Sequence, residues 1–145
     1  MSSGTTLQNL GLRKTYARIQ IAKLFEDSHV SHLSAKDVFA KLAKQHEGIS
    51  LGTVYRVLGD LTDVGFLRRL HLEEGFVSYE LNGKEQHDHL VCTKCHKVLQ
   101  FDDFFDHDRY EAIARQHGFS LSHHSLVLYA SCDTPACKKQ SIKEN

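Results

Sequence analysis

Residues 50–81 read SLGTVYRVLGDLTDVGFLRRLHLEEGFVSYEL, and this stretch decides the fold of the N-terminal half. Ser50 is a helix-capping residue type, and the apolar residues after it recur at spacings of three and four. This pattern predicts a helix that ends at Gly65. Two strand-like runs, 66–72 and 76–81, then flank Glu73-Glu74-Gly75, which is typical of a β-hairpin.

Two further helices are predicted upstream. Thr15 caps the first helix, and Ser34 with Asp37 resembles the capping box of the second. The apolar positions expected to face the core are Ala17, Ile21, Leu24 and Phe25 in the first helix and Val38, Phe39 and Leu42 in the second. Three helices and a hairpin form a winged-helix pattern, and the short connection 45–48 suits a helix-turn-helix.

The third helix has an outward face that suits DNA. If its apolar residues face the core, then Thr53, Tyr55, Arg56 and Gly59 face outward near its start, where a recognition helix meets base edges. Arg56 can bind guanine through two hydrogen bonds, and Tyr55 can contact a thymine methyl group. The alternative is that both are ordinary surface residues.

The N-terminal region carries a local positive charge. Residues 1–25 contain no acid, and their basic residues are Arg13, Lys14, Arg18 and Lys23. Such a patch suits phosphates or a minor groove.

Composition limits the class of protein. The chain has 145 residues, with 18 basic and 18 acidic side chains and 41% hydrophobic residues, which suits one average domain or two small ones and argues against disorder. No run approaches the roughly 18 apolar residues of a membrane-spanning helix, and no secretory signal pattern is present. We therefore expect a cytoplasmic protein, with no membrane partner, whose cysteines stay reduced.

The two halves of the chain differ in their chemistry. All four cysteines and seven of the eleven histidines lie between residues 87 and 137. The polar, glycine-containing segment 82–86 reads as a hinge. The sequence thus predicts an N-terminal domain 1–81, a hinge 82–86 and a C-terminal domain 87–145.

The cysteines form two pairs, Cys92 with Cys95 and Cys132 with Cys137, separated by 36 residues. Each pair can place two thiolates on one tetrahedral ion, so together they predict a closed structural zinc site. The alternative is a redox pair, but a thioredoxin-like CxxC opens a helix, and here strand-like runs, 87–91 and 98–101, stand on both sides.

The histidines also form a pattern. On a strand, His87 and His89 share one face and Asp88 takes the other. His123 and His124 split in the same way on a predicted strand 119–131. Nitrogen and oxygen donors without thiolates suit a divalent ion such as iron, manganese, zinc or nickel.

These motifs belong together. The chain resembles the ferric uptake regulator family of bacterial metal-responsive repressors over roughly residues 8–137. The residues that carry the resemblance are Gly11 to Thr15, His32 to Asp37, Gly52 to Leu58, Tyr79 to Leu81, His87 to Cys95, and His124 to Tyr129 followed by the second cysteine pair.

The resemblance implies an α+β protein with a winged-helix DNA-binding domain and a smaller α/β dimerisation domain. It implies a homodimer, or a tetramer, that binds a palindromic AT-rich operator on double-stranded DNA to control iron-uptake genes. It implies structural Zn(II) and regulatory Fe(II), with Mn(II) or Zn(II) as substitutes. The implied sites are Cys92, Cys95, Cys132 and Cys137 for structural zinc, His32, Glu80, His87 and His89 for sensing, Asp88, His107 and His124 for a further metal, and Arg13, Lys14, Tyr55 and Arg56 for DNA.

The chain also departs from the family pattern. Gln100 stands where the sensing site often has a glutamate, and Ala17 stands where a proline is common. In the further site Gln86 replaces a histidine and His107 a glutamate, for which Asp103, Asp106 or Asp108 could compensate.

Other functions fit these residues less well. A sensor of zinc, manganese, nickel or peroxide would share this scaffold, although Glu80 with His-Asp-His is more similar to the iron sensors than to the peroxide sensors. A zinc-ribbon interaction module would not need a winged helix. An enzyme is disfavoured, because four cysteines leave no open position on the zinc and the deaminase signature is missing.

Overall fold

The computed structural model describes residues 3–27, 32–45, 48–83, 87–101, 107–133 and 137. The chain divides into two compact units, Met1–Lys84 and Glu85–Asn145. Within the described ranges, every helix is too short or too polar to cross a bilayer.

The described residues of the N-terminal unit form four helices, which are α1 (Ser3–Asn9), α2 (Tyr16–Glu26), α3 (Ala35–Ala43) and α4 (Leu51–Asp63). The predicted caps are confirmed, because the side chains of Thr15, Ser34 and Ser50 each accept a hydrogen bond from the backbone of the first turn. Ser34 and Asp37 form the full reciprocal capping box. Gly65 follows α4 with a φ of 78°, the left-handed conformation expected just beyond a helix end.

The core of this unit lies between the helices. The predicted apolar face of α4 is confirmed, since Val54, Val57, Leu58 and Leu61 are buried. One expectation for α3 is wrong, because Phe39 is 36% exposed while Ala35, Val38 and Leu42 form the buried face. The buried face of this nine-residue helix is narrow, and Phe39 lies at the edge of that face, next to Val38.

Helix α1 was not predicted from the sequence. Its seven residues are SGTTLQN, which have weak helical propensity and only one large apolar side chain. That side chain, Leu7, is fully buried in the core cluster. Packing of Leu7 therefore stabilises a helix that the local sequence favours little.

The wing is an antiparallel pair of strands, β1 (Leu67–His71) and β2 (Val77–Leu81), joined through a 3-10 turn at Glu73–Gly75. The predicted hairpin is thus confirmed. An isolated bridge pairs Leu33 with Tyr79 through two backbone hydrogen bonds of 3.0 and 2.8 Å. β2 therefore has β1 paired along one edge and Leu33 along the other, and both are held in a fixed register.

The C-terminal unit contains a three-stranded sheet and a helix. The strands are β3 (Asp88–Cys92), β4 (Val98–Phe101) and β5 (Val127–Ala130), in the order β4-β3-β5, and the helix is α5 (His107–Gln116). β3 is antiparallel to β4 and parallel to β5. This mixture of elements confirms the α+β class.

The predicted strand 119–131 is wrong in extent, because pairing starts only at Val127. β3 has five residues, and its paired positions against β5 run from His89 to Cys92. The backbone groups of a strand need hydrogen-bond partners, so the short length of β3 limits the length of β5. His124 lies before the strand rather than in it.

Candidate metal centres and nucleic-acid interface

The parallel pairing of β3 and β5 brings the two cysteine pairs together. Cys92 ends β3 opposite Ala130, and Cys132 follows two residues later. The sulfur of Cys92 lies 3.5 Å from that of Cys132 and 3.4 Å from that of Cys137, and Cys95 lies 4.0 Å from Cys132. All four sulfurs lie within 4.8 Å of one another.

Three of the separations between sulfurs fit a tetrahedral zinc ion. With Zn–S bonds of about 2.3 Å, the edge of a tetrahedron of sulfurs is about 3.8 Å. The three separations of 3.4 to 4.0 Å bracket that edge. Four donors at these positions would leave no open coordination site.

The structure differs from the expectation of four reduced thiols, because Cys132 and Cys137 are joined as a disulfide. A disulfide removes two of the four donors, so zinc binding requires this pair to be reduced to thiolates.

Backbone hydrogen bonds favour a thiolate at Cys92. Burial raises its pKa, but the amides of Cys132, Cys95 and Lys94 outweigh that effect and lower the pKa from 9.0 to about 7. The amides of Lys94 and Cys132 each lie 3.4 Å from this sulfur. Burial raises the pKa of Cys95.

The wing holds a buried charged group. Oε2 of Glu80 lies 2.7 Å from Nε2 of His32, and both side chains are 1% exposed. The register explains the pair, because Leu33 bridges Tyr79 and the residues that precede and follow them, His32 and Glu80, come to face each other. Arg68 holds the other oxygen, Oε1, through its Nε.

The C-terminal unit presents a pair of imidazoles. His87 immediately precedes β3 and His89 lies in it, and their ring centroids are 4.7 Å apart. Gln100 pairs with His89 across β3 and β4, and its amide nitrogen lies 2.7 Å from Nε2 of His87. Residue 100 thus lies within reach of an ion bound by His87.

The residues of the predicted further site lie near one another without forming a tight group. Oδ1 of Asp88 is buried, has no hydrogen-bond partner among the described residues, and lies 3.6 Å from Nε2 of His124. The rings of His107 and His124 are 6.1 Å apart. Gln86, Asp103 and Asp106 lie outside the described residues, and Asp108 is exposed in the first turn of α5.

Two neighbours of this group were missed from the sequence. Glu111 lies one helical turn after His107, with Oε1 3.9 Å from Nε2 of the imidazole. The ring of Tyr110 lies 4.8 Å from that of His124. The spacing of His107 and Glu111, four residues apart, was the available signal, but it needs the helix to be known first.

The predicted DNA-contacting residues are exposed on the N-terminal unit. Tyr55 is 51% exposed, and Arg56, Arg13 and Lys14 are exposed as well. Tyr55 and Arg56 lie in the N-terminal half of α4, whereas Arg13 and Lys14 lie between α1 and α2.

Arg18 joins the two parts of this surface. Its guanidinium donates to the backbone oxygen of Arg13 at 3.0 Å and to Oδ2 of Asp60 on α4 at 2.9 Å. The sequence indicated Arg18 only as part of a basic patch, and Asp60 was missed. Their pairing fixes the segment around Arg13 relative to α4.

Comparison with known proteins agrees with this geometry. Residues 9–129 match the model of the ferric uptake regulator family. The ferric uptake regulation protein of Cupriavidus metallidurans is 42% identical over 137 residues, which cover 94% of this chain and 96% of that protein.

Solved structures show the same likeness. The Vibrio cholerae ferric uptake regulator is 37% identical, with a TM-score of 0.82 over 89% of this chain and 98% of that one. The Francisella tularensis regulator, solved with iron, is also 37% identical, with a TM-score of 0.77 over 88% of this chain and 96% of that one. The chain therefore belongs to the ferric uptake regulator family.

Proposed function

We propose that this protein is a cytoplasmic, metal-responsive transcriptional repressor that binds palindromic AT-rich DNA as a homodimer and controls iron-uptake genes. The observation that carries the proposal is the buried pair of His32 and Glu80 within a winged-helix unit. A DNA-binding unit needs no buried imidazole and carboxylate for its fold, whereas a metal-sensing unit needs donors of this kind. Membership in the family supports the same function.

We propose that His32 and Glu80 share one regulatory ion with His87 and His89. The first two donors precede the hinge and the last two follow it, so the ion would favour one relative orientation of the two units. Metal and operator affinity must then be reciprocally coupled, because each ligand stabilises the conformation that the other prefers. A two-fold dimer matches the symmetry of a palindrome.

Fe(II) is the regulatory ion that we propose, and the donor set is compatible with it. Imidazole and carboxylate donors suit borderline divalent ions, and a Francisella tularensis relative was solved with iron. Mn(II) and Zn(II) accept the same donors and are the alternatives. The four cysteines would hold a structural Zn(II), and Asp88, His107 and His124 would hold a further ion.

On DNA, the role of each exposed side chain follows from its position. Arg56 and Tyr55 on α4 would read base edges in the major groove. Arg13 and Lys14 would contact the minor groove and phosphates. A tetramer would bind as a pair of such dimers.

The test is an anaerobic gel shift with a palindromic AT-rich duplex at buffered free Fe(II), Mn(II) or Zn(II). We expect shifts only with metal, and Fe(II) should act at the concentration closest to its cellular level. A duplex of the same composition in scrambled order is the control. Binding that ignores metal would overturn the sensing role, and no binding to any duplex would overturn the DNA-binding role.

A further inference from the structure

Arg68 and Glu80 occupy directly opposite positions in the two strands of the wing. Side chains of opposite residues in an antiparallel pair point to the same face. Nε of Arg68 accordingly donates to Oε1 of Glu80, while Oε2 faces His32. The two carboxylate oxygens are thus divided between a permanent cation and an imidazole.

This division matters because Glu80 is buried. Its side chain is 1% exposed, whereas that of Arg68 is 38% exposed. A buried carboxylate is costly unless it is paired, and a guanidinium stays charged at every physiological pH. Arg68 therefore offsets the charge of Glu80 before any metal binds.

We propose that Arg68 competes with the regulatory metal for Glu80 and thereby raises the free metal concentration at which the protein responds. The inference rests on the proposed function, in which Glu80 is a ligand. Two cations would share one carboxylate in the loaded protein. Gln100, which lies beside His87, is neutral and cannot offset the positive charge of the second cation.

Arg68 also favours metal binding in one respect, since it orients the carboxylate of Glu80. Loss of a residue that orients a ligand typically weakens metal binding by about 10- to 100-fold. Repulsion between a divalent ion and a unit charge a few ångströms away changes a binding constant by more than about a hundredfold, even at an effective dielectric constant of about 20. Solvent screening of the half-exposed Arg68 reduces that figure, and the net expectation is a roughly tenfold gain in affinity when the charge is removed.

The next residue provides a matched control. Arg69 lies opposite Tyr79, is exposed, and has its guanidinium carbon 5.9 Å from the centroid of the Tyr79 ring. Arg69→Gln removes the same charge from the same strand without touching Glu80. It separates competition for Glu80 from a general change in surface charge.

The experiment measures Mn(II) affinity of the full chain, with the cysteine site loaded with zinc and no DNA present. We expect Arg68→Gln to bind Mn(II) roughly tenfold more tightly than wild type, because removing the repulsion between Arg68 and the metal outweighs losing the residue that orients Glu80. Arg68→Lys, which keeps the charge, should stay near wild type, and so should Arg69→Gln. Metal-free Arg68→Gln should also melt at a lower temperature, because Glu80 loses a partner.

Equal or weaker Mn(II) binding by Arg68→Gln would overturn the inference, as would an equal gain in Arg69→Gln. Should Arg68→Gln fail to fold, Arg68→Met repeats the test with an unbranched apolar side chain of similar length to the arginine stem. A Glu80→Ala variant separates two questions, namely whether Glu80 binds the metal and whether Arg68 competes for Glu80. Wild-type Mn(II) affinity in Glu80→Ala would overturn the proposed assignment of Glu80 to the regulatory site, on which the inference rests, whereas its loss, together with an unchanged Mn(II) affinity in Arg68→Gln, would overturn only the role of Arg68.

Discussion

Nε2 of His32 lies 2.7 Å from Oε2 of Glu80, and the two residues come from segments 48 positions apart in the chain. Both side chains are almost completely buried. A buried imidazole beside a buried carboxylate presents two donors to one ion. This pair is the part of the N-terminal unit that we propose binds the regulatory metal.

Replacing Glu80 with alanine should abolish metal-dependent DNA binding. It should also destabilise the metal-free protein by about 1–3 kcal/mol, because buried His32 loses its hydrogen-bond partner. Metal titration and thermal denaturation measure the two effects. Glu73→Ala, an exposed carboxylate in the turn of the wing, is the control and should change neither. If Glu80→Ala still responded to metal, Asp88 and His124 would become the candidate sensing residues.

Restoring a carboxylate at residue 100 should strengthen the regulatory site. The amide nitrogen of Gln100 lies 2.7 Å from His87, so Gln100→Glu adds an anionic donor beside the ion. We expect roughly a tenfold gain in Mn(II) affinity, since a nearby opposite charge favours the bound cation. Gln116→Glu, the same change at the exposed end of α5, should have no effect. Unchanged affinity in Gln100→Glu would place residue 100 outside the coordination sphere.

Zinc affinity of the cysteine cluster should depend steeply on pH. Amide hydrogen bonds lower the pKa of Cys92 to about 7, below its usual 9.0, so its thiolate stabilises the folded state above pH 9. That contribution is lost as pH falls through 7. Below pH 7, protons compete with zinc for Cys92 as well as for the other thiols. The zinc affinity should therefore fall more steeply with decreasing pH below pH 7 than above it. Chelator competition at pH 6, 7 and 8 measures this change in slope.

Cys92→Ser should lose the zinc and destabilise the C-terminal unit, because binding to a closed zinc site contributes directly to folding. Lys94→Ala is the matched control within the same turn, since Lys94 contacts the sulfur through its backbone amide. Metal analysis of the reduced protein reports the outcome. A zinc-loaded, stable Cys92→Ser protein would contradict the four-cysteine site.

Arg56→Ala should weaken specific operator binding by about 1–3 kcal/mol if Arg56 makes a two-bond contact with guanine. Arg13→Ala should weaken binding evenly across sequences and flatten its salt dependence, because Arg18 would still hold the backbone of residue 13. Binding isotherms at several salt concentrations separate the two. Arg109→Ala on α5 removes the same charge from the other unit and should leave operator affinity unchanged. Full operator affinity in Arg56→Ala would exclude α4 as the reading helix.

Asp88→Asn should remove the further metal while leaving the cysteine zinc in place. Oδ1 of Asp88 is buried without a hydrogen-bond partner among the described residues, so an ion would satisfy it. The measurement is the number of Mn(II) ions bound per chain, with Asp63→Asn, an exposed carboxylate at the end of α4, as the control. An unchanged number in Asp88→Asn would exclude Asp88 as a ligand.

Local chemistry made much of the N-terminal fold predictable. Thr15, Ser34 and Ser50 cap their helices because a short side-chain oxygen reaches the amides of the first turn, which is an interaction between neighbours in sequence. The spacing of apolar residues likewise identified the buried face of α4. Helix α1 was not predicted, because its stability comes from packing of Leu7 in a core that the other helices form.

The candidate sites divide in the same way. The proximity of Cys92 to Cys95 and of His87 to His89 was predictable from the sequence, because the members of each pair are close in the chain. The tertiary structure was needed to find the neighbours that come from distant segments. It placed Glu80 between His32 and Arg68, and Gln100 against His87, through strand registers that link distant segments. Backbone hydrogen bonding and burial set those registers, and both depend on contacts that no local window of sequence contains.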